Sequence, residues 1–478
     1  MKKENNINKK KIKLLSKILS LGSLAVILIT CYLFIRLNLV SIWITLLGVV
    51  IFLIVYVFIL RLSFSRKKAK RFFGDLFLII IILLLSVGSY YMLNTLDLFS
   101  NIKSDNVKYE TYNVIVLKSS KYKDIKDLKN KTMGVSDSYD KKGLDDAKDK
   151  IKKQVSVKYK NYDDMVTLSH ELINGDVESI VLESAEMDIL KEENYEEYKE
   201  YKVIYKVEVK SKVKDLKKGV NILKDPFNIY ISGVDTYGKI NSATRSDVNM
   251  VLTVNPKKEK MHITWIPRDY YIHINNSTYK DKLTHAGIYG IDSSIYAVSN
   301  LLNTDINYYV KVNFTSLINI VDALGGINVY NDQYFVSQDG YSYNKGNINL
   351  DGKHALSFVR ERKNLPHGDM SRGSNQVKVL SALIEKAKSP KIITKYNTIL
   401  NSLDNKFVTN MDVNDIIKYI KEEIKNPKDY EITDYTLDGT SGYEYTYSYK
   451  KQKLSVVKPD EEMVNTAREQ IKDTLNVD

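Results

Sequence analysis

The sequence predicts an α/β protein whose folded part follows three membrane-spanning helices. Three long apolar runs crowd the first hundred residues, and beyond them short β-rich runs alternate with amphipathic helical segments. Alternation of this kind is typical of α/β domains. A chain of 478 residues is also long enough for two or three units that each bury a core of their own.

The apolar runs cover Leu14 to Ile35, Leu39 to Leu60 and Leu76 to Met92. At about 1.5 Å of rise per residue, each helix is long enough, or nearly so, to cross a hydrocarbon core of about 30 Å. None of the runs ends in a small-residue cleavage pattern, so we interpret them as anchors and not as a removable signal peptide. Buried core helices are the less favoured alternative, because runs this long and uncharged are rare in soluble folds.

Basic residues predict the orientation of these spans. Seven lysines lie before or at the start of the first run, the last of them Lys17, and six Lys and Arg residues lie between the second and third runs. The turn between the first and second runs contains only Arg36. Basic segments stay on the cytoplasmic side of a membrane. We therefore expect a multi-pass cell-membrane protein with a cytoplasmic N-terminus, in which everything after about Leu93 is extracytoplasmic.

The net charge of +13 belongs mainly to the membrane segment. Fourteen of the 71 Lys and Arg residues, but only two of the 58 Asp and Glu residues, lie before or at Thr95, so the remainder carries a net charge of +1. A nearly neutral remainder argues against nucleic-acid binding. The single cysteine, Cys31, excludes an intrachain disulfide, and the six histidines lack the spacing of zinc ligands.

Composition and patterning predict four segments. Residues 1–99 form a cytoplasmic tail and three transmembrane helices, 100–111 a linker, 112–218 an accessory α/β domain with its connector, and 225–478 the main domain. In the accessory domain "DLKNKTMGV" and "LINGDVESIVLES" resemble one lobe of an extracellular solute-binding protein. Because such proteins enclose a ligand between two lobes, a spacer or interaction domain is the favoured alternative.

Four clusters of Arg and Asp stand at the ends of predicted strands and helices of the main domain. Their charged and polar members are Asp235, Arg245, Asp247, Arg268, Asp269, Arg360, Arg362, Asp369, Arg372 and Gln376. A single Arg-x-Asp pair is usually a surface ion pair that contributes little. Four clusters are harder to explain in this way, because carboxylates at strand ends open into the crevice where α/β sheets bind ligands.

Arginines that converge on one crevice would repel each other without an anion between them. The planar guanidinium group matches phosphate oxygens in a bidentate manner. Asp235 and Asp247 offer the hard oxygen ligands that Mg²⁺ prefers, and magnesium with arginine neutralises charge in phosphoryl transfer. Neither a GxxxxGK[ST] loop nor a GxSxG elbow is present. The residues therefore predict a diphosphate site built on magnesium and arginine.

Seven segments between residues 225 and 400 resemble, in order, the LytR-CpsA-Psr (LCP) family. They are "GVDT", "RSDVNMVLTVNP", "ITWIPRDYYIHI", "KLTHAGIYG", "YYVKVNFTSLINIVDALGGINV", "LDGKHALSFVRERK" and "GDMSRGSNQ". The three spans and the accessory domain are similar to the capsule-type members of that family. The resemblance implies an LCP-like catalytic domain with a mixed central sheet flanked by helices.

The resemblance also implies a magnesium-dependent transferase. Family members move a glycopolymer, such as teichoic acid or capsule, from a polyprenyl diphosphate carrier to a peptidoglycan hydroxyl and form a phosphodiester at the outer membrane face. The site residues that the resemblance implies are catalytic Arg268, Asp369 and Arg372, diphosphate-binding Arg245, Arg268, Arg360, Arg362 and Gln376, magnesium-binding Asp235 and Asp247, and supporting Asp269. The family often has a second arginine where this chain has Asn375.

Several points stay open in the sequence. The general base could be Asp235, Asp247 or Asp369, since each is a carboxylate in the clusters. A non-enzymatic sensor or scaffold, and a lipid-diphosphate hydrolase that uses water as acceptor, are the alternative functions. An apolar set near the clusters is interpreted as core rather than as a lipid site, although the family is similar in holding a polyprenyl chain there. These residues are Val251, Leu252, Val254, Phe314, Leu317, Ile320, Val321, Leu324, Leu380 and Leu383.

Overall fold

The computed structural model divides the chain into two compact units, Met1–Asn101 and Ile102–Asp478. It describes residues 2–37, 42–102, 107–136, 141–212, 219–235, 240, 244–274, 279–387, 407–412, 415–416, 418–419, 422–423, 426–450 and 452–476.

The first unit consists of apolar helices. They are α1 (Lys2–Leu37), α2 (Ile42–Ser63) and α3 (Lys68–Ile102). In the described part of the chain, three segments within them are long and apolar enough to cross a membrane, namely Leu14–Arg36, Leu46–Ser63 and Lys68–Asn94. The predicted spans lie in these helices, and Leu39, where the second run begins, lies outside the described residues. The carboxylate of Asp75 in α3 accepts hydrogen bonds from Ser16 and Ser63, which satisfies an acidic group among apolar neighbours.

The second unit begins with an α/β domain around one sheet. Its strands are β1 (Val107–Leu117), β2 (Thr132–Ser136), β3 (Lys158–Tyr162), β4 (Ser179–Glu183) and β5 (Tyr201–Lys212). Its helices are α4 (Lys141–Lys152), α5 (Met165–Asn174), α6 (Ser184–Glu193) and α7 (Tyr195–Tyr198). Within the described residues the strand order is β3-β2-β4-β1-β5. Helix α5 ends at Gly175, because the glycine adopts a left-handed conformation with φ of 80°.

The predicted linker 100–111 is wrong at its C-terminal end. Residues from Val107 onward belong to β1, which pairs antiparallel with β5 from Val107↔Lys212 to Leu117↔Tyr201. Helix α3 likewise extends to Ile102. The polar composition of this segment suggested a linker, but the backbone hydrogen bonds of a strand do not depend on apolar side chains.

The main domain contains the remaining elements. Its strands are β6 (Phe227–Val234), β7 (Val248–Asn255), β8 (Lys260–Trp265), β9 (Tyr271–His273), β10 (Lys280–Lys282), β11 (Tyr308–Asn313), β12 (Ile327–Asn331), β13 (Phe335–Val336), β14 (Ser342–Tyr343), β15 (Gly346–Leu350), β16 (Phe407–Thr409), β17 (Glu431–Thr436), β18 (Gly439–Glu444) and β19 (Leu454–Pro459). Its helices are α8 (Leu283–Ala286), α9 (Ile291–Leu302), α10 (Phe314–Leu324), α11 (Gly352–Arg360), α12 (Asp369–Ala387) and α13 (Glu461–Leu475).

The central sheet of this domain is mixed, as the resemblance implied. Among the described strands its order is β16-β11-β6-β7-β8-β17. Strand β11 runs parallel to β6 and β17 parallel to β8, whereas the other neighbours are antiparallel. The register pairs Gly233 with Val248 and Met250 with Trp265, so the C-terminal ends of β6 and β8 flank the N-terminal end of β7. One edge of the sheet therefore collects the loops that follow β6 and β8 and precede β7.

Both faces of this sheet are buried. Tyr230 and Val251 belong to one apolar cluster, together with residues of α9 and α13. Met250 and Leu252 belong to another, which includes Val377 of α12. Because successive residues of a strand point to opposite faces, β7 contributes to both clusters in alternation. The helices thus form layers on either side of the sheet.

The accessory domain packs against the main domain. Ile189 and Leu190 of α6 lie in one apolar cluster with Ile288, Tyr449 and Leu454 of the main domain. All five side chains are buried. The two domains keep separate sheets, but they share this cluster.

Helix α12 is anchored on Trp265 at the end of β8. A Cβ atom at Gly373 would lie 2.5 Å from the indole ring, so only glycine allows this approach. The indole Nε1 of Trp265 donates a hydrogen bond of 2.8 Å to Oε1 of Gln376. These two contacts set the position of the N-terminal turns of α12 over the sheet edge.

We predict that Gly373→Ala destabilises the protein by about 1–3 kcal/mol, because the added methyl group overlaps the ring of Trp265. Denaturant unfolding of the detergent-solubilised protein would measure the loss. Ser374→Ala, one residue further along the same helix, should change stability by less than about 0.5 kcal/mol. An unchanged unfolding midpoint for Gly373→Ala would show that α12 does not depend on this close approach.

Candidate active site

The predicted acidic and basic residues meet at the sheet edge formed by β6, β7 and β8. Asp235 follows β6, Asp247 precedes β7, and Arg268 and Asp269 follow β8. Nη1 of Arg268 donates a hydrogen bond of 2.6 Å to Oδ1 of Asp247, and its Nε lies 3.7 Å from Oδ2 of Asp269. The antiparallel register brings these residues together, although up to 34 positions separate them in the chain.

Two helix ends complete the cluster. Arg360 ends α11, and its Nη2 lies 3.9 Å from Oδ2 of Asp235 while its guanidinium stacks 4.4 Å from the ring centre of Phe314. Asp369 begins α12 and forms an ion pair with Arg372 one turn later. The cluster therefore draws on both the sheet edge and the helices that cover it.

Two guanidinium nitrogens in this cluster are buried without a hydrogen-bond partner among the described residues, namely Nε of Arg268 and Nε of Arg372. A buried guanidinium donor that makes no hydrogen bond costs free energy, so these donors indicate a missing acceptor. A phosphate oxygen is an acceptor with the geometry that guanidinium groups prefer.

Burial perturbs the acids of the cluster. It raises the pKa of Asp369, although the neighbouring Arg372 opposes the shift. It likewise raises the pKa of Asp235, where Arg360 opposes and the carboxylate of Asp247 adds to the shift. Perturbed carboxyl groups in a crevice are typical of functional sites. A raised pKa makes the carboxylate of Asp369 a stronger base than that of an ordinary aspartate.

Burial acts in the opposite sense on the arginines. It opposes the charge of Arg268, but the carboxylates of Asp247 and Asp269 outweigh it and hold the pKa of Arg268 above its ordinary value. Burial lowers the pKa of Arg372 despite the ion pair with Asp369. An arginine remains protonated even so, and a dianionic ligand would compensate its charge better than one carboxylate does.

Three predicted residues are placed differently from the rest. Arg362 is exposed and forms no side-chain ion pair with a described residue. Gln376 uses its amide to accept from Trp265 and to donate to the carbonyl of Val359 at 3.3 Å. Arg245 forms an ion pair with Glu192 of the accessory domain. Their roles in binding diphosphate stay predictions.

The side-chain amide of Asn375 is used in a hydrogen bond between two helices. Its Nδ2 donates a hydrogen bond of 3.3 Å to the carbonyl of Phe358, and the side chain is buried. This bond ties α12 to α11. Asn375 thus serves the packing of the two helices that carry Arg360 and Arg372.

A cavity of about 420 Å³ opens between the sheet and helices α10, α11 and α12. Asp235, Asp247, Arg360 and Arg372 line the same cavity as its apolar residues. Protein interiors rarely leave voids much larger than a water molecule, so a cavity of this size indicates a ligand site. Its apolar walls suit a hydrocarbon chain, and its charged residues suit a phosphorylated end.

The apolar set divides between the cavity and the core. Leu252, Phe314, Leu317, Ile320, Leu380 and Leu383 line the cavity. Val251, Val254, Val321 and Leu324 are buried and do not line it. Sequence reasoning missed lining residues on alternate positions of three strands: Ile229, Ile231, Val248, Met250, Val310 and Val312. Period-two apolar residues signal a covered sheet face, but they do not reveal whether side chains fill the space above it.

We predict that inorganic pyrophosphate raises the thermal unfolding midpoint by binding the cluster. Arg372→Ala should weaken this binding about tenfold or more, because a charge-assisted hydrogen bond contributes about 1.5–3 kcal/mol. Titration of the midpoint with pyrophosphate would measure the change. Lys458→Ala, at an exposed ion pair with Glu444, is the control and should bind normally. Equal binding by both variants would contradict an anion site at Arg372.

A family model, the LytR_cpsA_psr family, matches residues 190–465. Among curated proteins, the polyisoprenyl-teichoic acid–peptidoglycan teichoic acid transferase TagU of Bacillus anthracis (strain CDC 684 / NRRL 3495) is 40% identical over 212 residues, which cover 44% of this chain and 69% of TagU. TagU of Bacillus subtilis (strain 168) is 38% identical over 203 residues, which cover 42% of this chain and 65% of that protein.

Solved structures are similar to about half of the chain. TagV of B. subtilis has a TM-score of 0.45 and 26% sequence identity, and the match covers 53% of this chain and 98% of TagV. TagT bound to LI-WTA has a TM-score of 0.43 and 26% identity, with 54% of this chain and 94% of TagT covered.

Proposed function

Because the chain belongs to the LytR_cpsA_psr family, we propose that it transfers a glycopolymer from a polyprenyl diphosphate carrier to a peptidoglycan hydroxyl. The observation that carries this proposal is the cavity, whose apolar walls and charged residues suit the lipid chain and the diphosphate of one donor. The names of the TagU relatives, which specify teichoic acid and peptidoglycan, support it. Teichoic acid is accordingly the first polymer to test, with capsule as the second.

In the proposed reaction the acceptor hydroxyl attacks the phosphorus that carries the glycopolymer. A new P–O bond forms to peptidoglycan, the bond to the bridging oxygen breaks, and the polyprenyl monophosphate leaves. Arg268 and Arg372 donate their unsatisfied N–H groups to the diphosphate and stabilise the charge that develops on it. Asp369 accepts the hydroxyl proton, since its raised pKa matches that role better than an ordinary carboxylate would.

We propose that Asp235 and Asp247 bind Mg²⁺ together with the substrate phosphates. Burial raises the pKa of Asp235 and the carboxylate of Asp247 adds to the shift, so a bound cation would relieve the cost of ionising Asp235. Magnesium commonly uses one or two carboxylates and keeps phosphate and water ligands, which fits a pair of aspartates in a cavity. When bound, the ion would neutralise charge on the transferred phosphate.

The membrane segment fits the same proposal. We propose that the three spans place the N-terminus in the cytoplasm and both α/β domains outside, as the basic residues predict. A polyprenyl donor is itself anchored in the membrane, so an anchored enzyme encounters it at the bilayer surface. The diphosphate bond of the donor supplies the driving force on a side of the membrane where no ATP is expected.

We predict that Arg268→Ala and Asp247→Ala each abolish attachment of wall-linked polymer without changing protein level or membrane location. Both variants remove one partner of the 2.6 Å hydrogen bond at the sheet edge. The assay is wall-linked phosphate in a strain that lacks related transferases, with Lys458→Ala as the control. Attachment retained in both variants would support a scaffold, and polymer released to water would support a hydrolase.

We predict that Leu317→Trp narrows the cavity and raises the KM for long-chain polyprenyl donors at least tenfold, while donors with two isoprene units are affected much less. Leu317 lines the cavity, and indole is larger than the side chain it replaces. Val336→Trp, at an exposed position outside the cavity, is the matched control. An equal loss for long and short donors would contradict a lipid chain in this cavity.

We predict that Asp235→Asn raises the unfolding midpoint of the magnesium-free protein and abolishes stabilisation by Mg²⁺. The folded-state pKa of Asp235 is raised, so its ionisation opposes folding, and the stability of the metal-free protein should fall as pH rises through that pKa. The asparagine variant should lack this part of the pH dependence. Thermal unfolding between pH 4 and 8, with and without Mg²⁺, is the measurement, and a normal Mg²⁺ response in the variant would exclude Asp235 as a ligand.

A further inference from the structure

Helix α6 of the accessory domain brings two carboxylates to the main domain near the catalytic edge. Glu192 forms an ion pair with Arg245, and Oε1 of Glu193 lies 2.8 Å from Nζ of Lys282. Lys282 and Glu193 retain only 7% and 15% of their side-chain exposure. These pairs join the domains at charged residues as well as at the apolar cluster.

The position of these acids within α6 is electrostatically unfavourable by itself. Glu192 and Glu193 are the last two residues of the helix, where the helix dipole disfavours negative charge. Cations of the main domain compensate both carboxylates. The end of α6 is therefore complementary to the main domain, not to bulk solvent.

Arg245 lies close both to this helix end and to Asp247. It precedes Asp247 by two residues, and its Nη1 contacts Glu192. Burial raises the pKa of Asp188 in α6, while Arg245 lowers it and Asp247 raises it, so all three groups lie within electrostatic range. Among described residues, no other side chain forms an ion pair with Arg245.

An arginine side chain has several rotatable bonds, and holding it in one conformation costs entropy. A carboxylate on one terminal nitrogen supplies that restraint and leaves the other guanidinium nitrogens for a second acceptor. Glu192 can restrain Arg245 in this way because the packing of Ile189 and Leu190 fixes α6 on the main domain.

A metal ion is the competing explanation for this group of acids. Ligand atoms of Glu192, Glu193 and His285 all lie within 4.8 Å of one another. However, Arg245 and Lys282 already balance the two carboxylates, and Nδ1 of His285 lies 2.7 Å from Oδ1 of Asp281. The charges of the group are thus compensated by protein side chains.

We propose that Glu192 is a positioning residue, through which the accessory domain holds Arg245 toward the donor diphosphate and so completes the catalytic site. This proposal rests on the proposed transferase function. It gives the accessory domain a specific part in the reaction, namely restraint of one diphosphate-binding arginine, without direct contact between that domain and the substrate.

The test uses the full-length protein in lipid nanodiscs and a polyprenyl-diphosphate-linked disaccharide as donor. We expect Glu192→Gln to raise the donor KM about tenfold with little change in kcat, because it removes the charge that restrains Arg245. Arg245→Ala should raise the KM at least as much, and the double variant should be no worse than Arg245→Ala alone. Glu192→Asp should restore part of the loss.

The matched control is Glu193→Gln, which weakens the neighbouring pair with Lys282. Glu193 forms no ion pair with a diphosphate-binding arginine among the described residues, so this variant should leave the donor KM within about twofold. Equal losses in Glu193→Gln and Glu192→Gln would show that both residues only dock the domain, and would overturn the proposal. Independent effects of Glu192→Gln and Arg245→Ala, or tighter donor binding by Glu192→Gln, would overturn it as well.

The same assay separates this proposal from the proposed function. Transfer by the wild type, its loss in Asp247→Ala and a normal KM in Glu192→Gln would refute only the role of Glu192. Unchanged transfer in Asp247→Ala would instead refute the catalytic site on which the proposal rests.

Discussion

The antiparallel register of β7 between β6 and β8 is the constraint on which the candidate site depends. It places Asp235, Asp247 and Arg268 at one sheet edge, where loops from three strands meet. A shift of one residue in this register would turn Asp247 to the opposite face and separate it from Arg268. The anchoring of α12 on Trp265 then brings Asp369 and Arg372 to the same edge. The relative positions of the site residues therefore depend on the strand register and on the packing of α12.

A large void and unsatisfied buried donors are each unfavourable in a stable core, yet they coincide here. The residues that line the cavity lack packing contacts on that side, and Nε of Arg372 lacks a hydrogen-bond acceptor among the described residues. A ligand with a hydrocarbon chain and a diphosphate would satisfy both deficits at once. This coincidence is why a lipid-linked donor explains the site better than a soluble phosphate compound, which would leave the apolar walls exposed to water.

The contacts of the accessory domain change how its role is interpreted. The resemblance of this domain to one lobe of a solute-binding protein suggests that it binds a ligand. Its helix α6, however, lies against the main domain through Ile189 and the ion pair of Glu192 with Arg245. The shared apolar cluster makes the two domains one compact unit. The preference for a spacer or interaction domain over a ligand-binding lobe stays a prediction.

The sequence by itself determined the α/β class, the apolar spans and the identity of the chemical groups. These properties depend on local hydrophobic periodicity and short motifs, all of which are contiguous in the chain. Tertiary structure decided three matters. Leu317 lines the cavity, whereas Val321 on the same helix is buried in the core. Gln376 accepts a hydrogen bond from Trp265, and Arg245 contacts the accessory domain. Each depends on the distance between side chains far apart in the chain, and residue type and spacing do not encode that distance.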